Sequence, residues 1–286
     1  MGRKWLFFDI DGTLVPYGED ARPSTRTLDA LAALRAQGHK VFLCTGRTKC
    51  DIGSTLLCFD VDGVISGAGA RIEMGGLCVR EKLLPLRLLR RSAAQILRLH
   101  VSCILEGTHG FYYVGQGSVK LPWNFPRVTR AGEITHEMCV EKFTAHTSGE
   151  AEFAPLAACL APVYDIYARP DGRFFEMVRK GQDKASAIRW LCEKHGVAKE
   201  DTYAFGDSRN DLPMLRAVGT GVAMGSAPPS VCREASLVTG TLEEEGVACA
   251  LQRLGLIYPW PRRGCPPCRP RVRPAGTGQQ GAWPAI

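Results

Sequence analysis

The sequence predicts an α/β fold, in which a Rossmann-like core with a parallel sheet and helices on both faces carries an inserted α+β domain. Three observations support this prediction. Short apolar runs alternate with helical patterns early and again late in the chain, polar turns follow several of these runs, and the alternation is lost between residues 83 and 178. We therefore expect a core formed by residues 1–82 and 179–257 and an inserted domain formed by residues 83–178.

The first β-α-β unit lies at the N-terminus. Residues 4–9 form a compact apolar strand, and "KVFLCT", residues 40–45, is a second short buried strand. Between them, Ser24 or Thr25 can cap a helix whose leucines recur at helical spacing and which stops near Gly38. Because strands joined through a helix are usually parallel, this unit predicts a parallel sheet.

The same pattern resumes after the insertion. Its elements are a helix over 183–195 that ends at Gly196, the strand "TYAFGD" (202–207), a helix from about Leu212 to Val218 and the short strand "GVAMG" (221–225). The insertion instead shows a helix followed by two strands, about twice. Its elements are a helix over 84–99, strands over 102–107, 110–115 and 138–145, a helix over 149–160, and strands over 163–168 and 173–178 joined by the turn "RPDG". This texture predicts a separate layer and a second domain.

The last segment, residues 258–286, is rich in Pro, Gly and Arg and has no apolar periodicity, which predicts a disordered tail. Its Cys265 and Cys268 form a Cys-Pro-Pro-Cys motif of the kind used in redox or zinc sites. No second pair of cysteines or histidines completes that motif, so we expect an unstructured tail that binds no metal.

Composition and charge exclude several classes of function. Five arginines after residue 257 supply most of the formal charge of +7, and residues 1–257 carry only +2, so no nucleic-acid partner is predicted. No apolar run is long enough to span a membrane, and the N-terminus does not have the pattern of a signal peptide. The twelve cysteines are scattered, many of them in apolar stretches, which is typical of reduced thiols. The expected location is the cytoplasm.

Two carboxylates near the N-terminus are the first candidate site. Asp9 and Asp11 lie two residues apart at the end of the first strand, so both can point to the same side, and Gly12 lets the chain bend behind them. Carboxylates this close repel each other unless a cation such as Mg²⁺ lies between them or one holds a proton. Aspartates at strand ends also cap helices or face solvent, so the pair alone leaves these alternatives open.

Two further polar segments are predicted to reach the same edge of the sheet. Thr45-Gly46-Arg47 follows the second strand, and "GDSRND" places Asp207, Asn210 and Asp211 at the end of the strand "TYAF". The carboxyl ends of parallel strands share one edge, where open α/β sheets bind their ligands. A hydroxyl, backbone amides and a cation suit a phosphate group, and several carboxylates suit its metal ion.

In their order, these motifs resemble the four motifs of the haloacid dehalogenase-like superfamily. The matching elements are Asp9-Ile10-Asp11-Gly12-Thr13, Thr45-Gly46-Arg47, Lys184 and Gly206-Asp207-x-x-Asn210-Asp211. The segments "KGQDKASAIRWL", "FGDSRNDLPML" and "GVAMGSAP" are similar to the Cof-type phosphatases of that superfamily. The resemblance covers about residues 4–82 and 179–250, and it covers the insertion, which would be a cap domain, in position and size more than in sequence.

This resemblance implies a Mg²⁺-dependent phosphatase that acts on a small phosphorylated metabolite through an aspartyl-phosphate. Asp9 would attack phosphorus, and Asp11 would protonate the leaving oxygen and then activate water, since an alkoxide needs an acid whereas a carboxylate nucleophile needs no base. The implied Mg²⁺ ligands are Asp9, the backbone carbonyl of Asp11 and Asp207, with Asp211 in support. The implied phosphate-binding residues are Thr45, Gly46, Arg47, Lys184 and Asn210. Helical periodicity alone would instead make Lys184 an exposed residue in the first turn of a helix.

A second Asp-x-Asp-Gly occurs in "CFDVDGV", residues 58–64. By its position relative to the family motifs, it lies in a loop before the strand "GVIS", so Asp60 and Asp62 are not expected to bind the metal. Many Cof-type members carry Asn-Gly-Ala after that strand, whereas this chain has Ala68-Gly69-Ala70. The missing amide makes substrate orientation uncertain but leaves the phosphoryl chemistry unaffected.

Alternative functions differ in the fate of the phosphoryl group. A phosphomutase of the same superfamily would return it to the sugar, and a receiver-type signalling module would retain it on the aspartate. Dehalogenation is disfavoured because that branch needs no acid at the position of Asp11, and a non-enzymatic protein built around the tail is a further alternative.

The expected partner is a small phosphate ester, the cap would act as a lid, and the chain would be a monomer or a homodimer. Candidates for substrate specificity, by residue type only, are His109, Tyr112, Tyr113, Trp123 and Arg169.

Overall fold

The computed structural model describes residues 2–18, 21–53, 58–115, 124–169 and 171–258, and the backbone of residues 269–270. The strands are β1 (Trp5–Phe8), β2 (Lys40–Cys44), β3 (Gly63–Ser66), β4 (Arg71–Met74), β5 (Leu77–Glu81), β6 (Ser102–Gly107), β7 (Phe111–Val114), β8 (Arg127–Val128), β9 (Val140–His146), β10 (Tyr164–Ala168), β11 (Phe174–Arg179), β12 (Thr202–Gly206), β13 (Thr220–Ala223), β14 (Leu237–Val238) and β15 (Arg269–Pro270). The α-helices are α1 (Thr25–Ala36), α2 (Lys49–Ile52), α3 (Leu86–Arg98), α4 (Glu150–Leu160), α5 (Lys184–Lys194), α6 (Leu212–Ala217), α7 (Pro229–Cys232) and α8 (Gly246–Arg253).

The chain divides into two compact units. The first contains the described parts of residues 1–46, 53–79 and 184–286, and the second contains residues 47–52 and the described parts of 80–183. The predicted domain boundaries, after residues 82 and 178, stay predictions about the parts of the chain that fold independently.

The main sheet has nine strands in the order β15-β14-β13-β12-β1-β2-β3-β4-β5. Strand β1 pairs in parallel with both β2 and β12, and the parallel pairing continues to β3 on one side and to β13 and β14 on the other. The prediction of a parallel sheet is confirmed for this centre. The sheet as a whole is mixed, because β4 returns antiparallel along β3 and β15 runs antiparallel to β14. The sequence analysis did not predict β4 and β5, which form a hairpin-like extension of the edge.

The first helix shows why these segments fold where the sequence places them. Ser24 is the N-cap of α1, and its hydroxyl accepts a hydrogen bond of 3.0 Å from the backbone N–H of Thr27, which satisfies a donor that the first helical turn leaves open. The helix stops before Gly38, whose φ of +82° suits a glycine and reverses the chain into β2.

Apolar side chains cover both faces of the main sheet. Phe7, Phe42 and Ile65 belong to a cluster of buried residues together with Ile188 of α5 and Met214 of α6. The neighbouring residues of the strands point to the opposite face, where α1 contacts β2 and α8. Strand residues such as Leu6, Phe8 and Leu43 are completely buried there. Helices therefore pack on both faces, as the sequence predicts.

The second unit contains a six-stranded sheet in the order β10-β11-β9-β6-β7-β8. Its strands pair antiparallel apart from the short β8, which runs parallel to β7. Helices α3 and α4 pack on one face against Leu105, Phe143 and Phe175. The opposite face carries polar side chains, among them Lys142, which lies 2.7 Å from Glu106 and 3.1 Å from Glu176. The predicted α+β texture of residues 83–178 is thus observed.

The ends and the cysteines differ in part from expectation. Of the predicted disordered tail, the structure describes only Tyr258 and the two-residue strand β15, and the Cys265–Cys268 motif lies outside the described residues. Of the cysteines in the described part of the chain, nine carry no disulfide, as expected. Cys249 forms a disulfide bond, so the expectation of reduced thiols is wrong for this residue. In the part of the chain that the structure describes, no helix has the length and apolarity to cross a membrane.

Candidate active site

Three strand ends meet at one edge of the main sheet. Phe8, the last residue of β1, lies beside Leu43 of β2 and Phe205 of β12, so the residues that follow each strand emerge side by side. Asp9 follows β1, and its backbone N–H donates to the carbonyl of Phe205 at 2.9 Å. Thr45 follows β2 and Asp207 follows β12. The parallel pairing therefore brings together segments that lie far apart in the chain.

A cluster of carboxylates occupies this edge. Asp9, Asp207 and Asp211 are all buried, and one carboxylate oxygen from each lies within 4.8 Å of the other two. Lys184, at the beginning of α5, is also buried, and its Nζ lies 2.6 Å from Oδ1 of Asp9 and 2.6 Å from Oδ1 of Asp211. The reading of Lys184 as an exposed helix residue is therefore wrong, because the start of α5 points into the sheet edge and the lysine compensates buried charge.

Burial and mutual repulsion dominate the electrostatics of the cluster. Burial, reinforced by the charge of Asp211, raises the pKa of Asp9 well above its usual value, and the same two causes raise the pKa of Asp207 to about 6. Burial works to lower the pKa of Lys184, but the carboxylates of Asp211 and Asp9 outweigh it and raise that pKa. Three carboxylates against one ammonium leave two negative charges uncompensated, which is the charge that one divalent cation supplies.

Asp211 also organises the loop after β12. Its Oδ2 accepts hydrogen bonds of 3.0 Å from the backbone N–H groups of Asp207 and Ser208, in a capping box of the 3₁₀ turn Arg209–Asp211 that precedes α6. The side chain of Asp211 lies so close to Gly206 that a Cβ at that glycine would be only 2.6 Å from it. Both oxygens of Asp211 thus have protein partners, and we expect it to hold Lys184 and the loop in place around the ion rather than to be its main ligand.

Gly12 has a specific steric role. Its φ is +79°, and a Cβ there would overlap the carboxylate of Asp207 and lie 2.7 Å from the ring of Tyr17. Tyr17 donates a hydrogen bond of 2.7 Å from its hydroxyl to Oδ2 of Asp207, and Thr13 donates a longer one of 3.4 Å to Oδ1. The turn after Asp11 therefore packs directly on Asp207, a candidate metal ligand that lies nearly two hundred residues later in the sequence.

The next three predicted site residues, Asp11, Thr45 and Gly46, are not members of this carboxylate cluster. Asp11 is half-buried and its backbone pairs with Val15, but its carboxylate is not a member of the cluster found among the described residues. Thr45 is buried, its backbone N–H donates to Ile65 and its carbonyl accepts from Ala68. Gly46 is half-buried and ends the first of the three segments that form the first unit.

The two other predicted phosphate ligands are Asn210 and Arg47. Asn210 accepts a hydrogen bond of 2.6 Å from the hydroxyl of Ser208 through its Oδ1. Arg47 is half-buried and belongs to the second unit. The roles assigned to the motif residues in catalysis, phosphate binding and metal binding therefore stay predictions.

The residues fit a hard divalent cation. Mg²⁺ prefers carboxylate and carbonyl oxygens and keeps several waters, so it needs only one or two protein carboxylates. The cluster offers buried carboxylate oxygens within 4.8 Å of one another, with no cysteine or histidine in the group. This donor set suits Mg²⁺ better than a softer transition metal.

The second Asp-x-Asp-Gly motif lies away from this cluster. Asp62 lies 2.6 Å from Nζ of Lys40 and accepts a hydrogen bond of 3.0 Å from the backbone N–H of Val41, and Asp60 pairs with Arg35. Both aspartates lie in the loop before β3, as expected, and they stabilise the start of β2 and the end of α1. Neither aspartate belongs to the candidate metal site found in the described part of the chain.

The Ala68-Gly69-Ala70 segment forms a tight turn after β3. Ala68 is buried and adopts φ 54° and ψ 33°, a left-handed conformation that Asn and Gly tolerate better than Ala. The departure from the Asn-Gly-Ala of related phosphatases therefore removes an amide and also places alanine at a strained position.

The candidates for specificity have mostly structural surroundings. Tyr113 is buried and shares a hydrogen bond of 2.9 Å with Ser102, Tyr112 packs against the apolar cluster, and Arg169 stacks over Phe174. His109 is exposed, and Trp123 lies outside the described residues. Sequence reasoning missed Tyr17, because it belongs to no motif and contacts Asp207 only when distant segments meet. It also missed Ser208, which lies inside the fourth motif at a position that the motif leaves open and contacts its neighbours Asn210 and Asp211.

Comparisons with known proteins agree with this geometry. A family model of haloacid dehalogenase-like hydrolases matches residues 6–251. The chain is 31% identical to the Bacillus subtilis (strain 168) protein named "Putative phosphatase YkrA", over 90% of this chain and 100% of that protein. It is 26% identical to the HMP-PP phosphatase of Yersinia enterocolitica, over 86% of this chain and 93% of that protein.

Solved structures give the same result. The sugar phosphatase BT4131 of HAD subclass IIB is 30% identical, with a TM-score of 0.73 over 89% of this chain and 100% of that chain. The HAD-superfamily phosphatase BT1666 from Bacteroides thetaiotaomicron is 27% identical, with a TM-score of 0.77 over 89% of this chain and 96% of that chain.

Proposed function

Because the chain belongs to the haloacid dehalogenase-like hydrolases and is a phosphoric monoester hydrolase, we propose that it hydrolyses a sugar phosphate or a similar small phosphomonoester through an aspartyl-phosphate on Asp9. The observation that carries the proposal is the buried cluster of Asp9, Asp207 and Asp211 with Lys184 in contact with two of its members. The substrate class is carried over from the sugar phosphatase of subclass IIB that the chain resembles at 30% identity.

In the proposed reaction, a carboxylate oxygen of Asp9 attacks phosphorus and the bond from phosphorus to the ester oxygen breaks. Asp11 gives its proton to that leaving oxygen, so the alcohol departs neutral. Asp11 then removes a proton from water, the water oxygen attacks phosphorus, and Asp9 is released together with inorganic phosphate. Each proton given by Asp11 in the first step is thus regained in the second.

Other residues prepare Asp9 for this role. The contact of 2.6 Å with Lys184 favours the ionised form of Asp9, which burial alone would disfavour. Mg²⁺ held by Asp9, the backbone carbonyl of Asp11 and Asp207 would neutralise charge on the phosphoryl group and on the carboxylates. Phosphoryl oxygens are proposed to be bound by Thr45, Gly46, Arg47, Lys184 and Asn210.

Hydrolysis of p-nitrophenyl phosphate with Mg²⁺ tests the phosphatase activity. We expect Asp9→Asn to abolish turnover, because an amide does not replace the nucleophile, and Asp11→Asn to lower kcat by about 10²–10⁴, the usual range for loss of a general acid. Asp60→Asn is the matched control, since Asp60 lies in the other Asp-x-Asp-Gly motif and its side chain is 87% exposed. Normal turnover of Asp9→Asn, or equal losses in all three variants, would contradict the proposal.

Product analysis separates the proposed function from its alternatives. A phosphatase releases inorganic phosphate from a sugar phosphate, whereas a phosphomutase accumulates an isomeric sugar phosphate. A receiver-type module retains the phosphoryl group on its aspartate for many minutes, whereas here we expect it to persist only in Asp11→Asn. Mass spectrometry of the acid-quenched peptide that contains residue 9 measures that difference. A panel of phosphorylated metabolites then identifies the preferred substrate.

A further inference from the structure

Tyr17 lies outside the four motifs, yet its hydroxyl reaches into the carboxylate cluster. The residue is 68% exposed, whereas Asp207, to which it donates a hydrogen bond of 2.7 Å, is only 6% exposed. An exposed tyrosine ordinarily directs its hydroxyl to solvent. A short hydrogen bond from the surface to a buried carboxylate is of the charge-assisted kind and constrains both side chains.

The turn after Asp11 directs Tyr17 to this position. The backbone N–H of Gly12 donates to the carbonyl of Val15 at 2.8 Å, and the N–H of Val15 donates back to Ile10 at 3.0 Å. These bonds fold the chain onto itself within a few residues, so the segment with Tyr17 returns over Gly12. Because Gly12 has no Cβ, the ring of Tyr17 and the carboxylate of Asp207 can both lie against it.

The two oxygens of Asp207 have different partners. Oδ2 accepts the short hydrogen bond from Tyr17. Among the residues that the structure describes, Oδ1 receives only the hydroxyl of Thr13 at 3.4 Å, beyond the usual range of about 2.5–3.0 Å for such bonds. In metal sites, an outer hydrogen bond to a ligating carboxylate fixes which oxygen faces the ion. Oδ1 is therefore the oxygen that can turn to a cation.

We propose that Tyr17 is a positioning residue for the metal, whose hydroxyl holds Oδ2 of Asp207 so that Oδ1 is directed at the Mg²⁺. This inference rests on the proposed Mg²⁺-dependent function. Tyr17 acts through Asp207 and touches neither the phosphoryl group nor the ion. Its loss therefore weakens metal binding more than it slows the chemical step once the metal is saturating.

Isothermal titration of the full chain with Mg²⁺ tests the inference without turnover. We expect Tyr17→Phe, which keeps the ring and deletes the hydroxyl, to raise the Kd for Mg²⁺ about tenfold, the lower end of the effect of such outer contacts. Tyr258→Phe is the matched control, because it removes a hydroxyl from a residue that is 81% exposed. We expect its Kd to equal that of the wild type.

Activity and luminescence supply two further readouts. The Mg²⁺ concentration for half-maximal hydrolysis of p-nitrophenyl phosphate is expected to rise in parallel with Kd in Tyr17→Phe, with little change of kcat at saturating Mg²⁺. Tb³⁺ used as a luminescent probe is expected to lose most of its tyrosine-sensitised emission in Tyr17→Phe but not in Tyr258→Phe. Circular dichroism and thermal melting verify that each variant is folded.

The failures of the two proposals can be told apart. If Tyr17→Phe binds Mg²⁺ as tightly as the wild type, or more tightly because the hydroxyl competes with the ion, the positioning role is wrong. The positioning role is also wrong if Tyr17→Phe lowers kcat at saturating Mg²⁺ while its Kd for Mg²⁺ is unchanged. If the wild type itself binds no Mg²⁺, the proposed Mg²⁺-dependent function fails instead.

Discussion

Replacement of Lys184 by methionine tests whether the carboxylate cluster is charged in the folded protein. Nζ of Lys184 lies 2.6 Å from Oδ1 of both Asp9 and Asp211, and the side chain of Lys184 is 1% exposed. Removing one partner of a buried ion pair costs about 3–5 kcal/mol, because the remaining charge is left without compensation. Methionine has a similar length, so little of the cost would come from a cavity. We expect Lys184→Met to lose about 3–5 kcal/mol of unfolding free energy in metal-free protein.

Urea unfolding near neutral pH, first with a chelator and then with Mg²⁺, measures this loss. A cation that binds the folded state at 100 times its Kd adds about 2.7 kcal/mol of stability. The ion can replace part of the missing positive charge, so Mg²⁺ should reduce the difference between variant and wild type. Lys4→Met is the matched control. Lys4 lies 2.5 Å from Asp201, but both side chains are partly exposed, and such pairs contribute about 0–1 kcal/mol.

The outcome also separates two states of the cluster. Suppose that Lys184→Met loses no more unfolding free energy than Lys4→Met in the presence of chelator. The lysine then does not stabilise the carboxylates, and a shared proton rather than an ion pair holds them together. That result would refute the electrostatic reasoning while leaving the fold intact.

Three further predictions concern individual backbone and side-chain environments. Gly12→Ala should abolish detectable Mg²⁺ binding in calorimetry and lower stability by about 1–3 kcal/mol, because φ is +79° and the new Cβ overlaps Asp207; wild-type binding would contradict this. Burial and the charge of Arg169 lower the pKa of His146 to about 4, so the unfolded chain, with a histidine pKa of 6.5, takes up a proton first and stability falls as the pH drops through that interval. Urea titrations should show the wild type losing about 2 kcal/mol more than His146→Gln between pH 7 and 5, and parallel losses would refute the assignment. Ala68→Gly should raise the unfolding free energy by up to about 1 kcal/mol in the same assay, by relieving the left-handed conformation at φ 54°, and a lower value would show that no strain is stored there.

Much of the fold follows from local patterns in the sequence. Ser24 caps α1, Gly38 and Gly196 end their helices, and apolar runs become the central strands, because capping, turn geometry and side-chain period are properties of neighbouring residues. The edge strands escaped prediction. β4 and β5 contain charged residues among their apolar ones and are only partly buried, so neither forms an apolar run. β15 has only two residues, so it is recognisable only through its pairing with β14.

The sequence by itself determined which residues are chemically suited to a phosphatase, because Asp9, Asp207 and the other motif residues are recognisable by type, order and position after strands. Only the tertiary structure decided how they are used. It buried Lys184 between Asp9 and Asp211, brought Tyr17 onto Asp207 and left Asp60 paired with Arg35 in a loop. The physical reason is that a charge acts through distances of a few ångströms, and residues nearly two hundred positions apart reach such distances only when parallel strands align their ends.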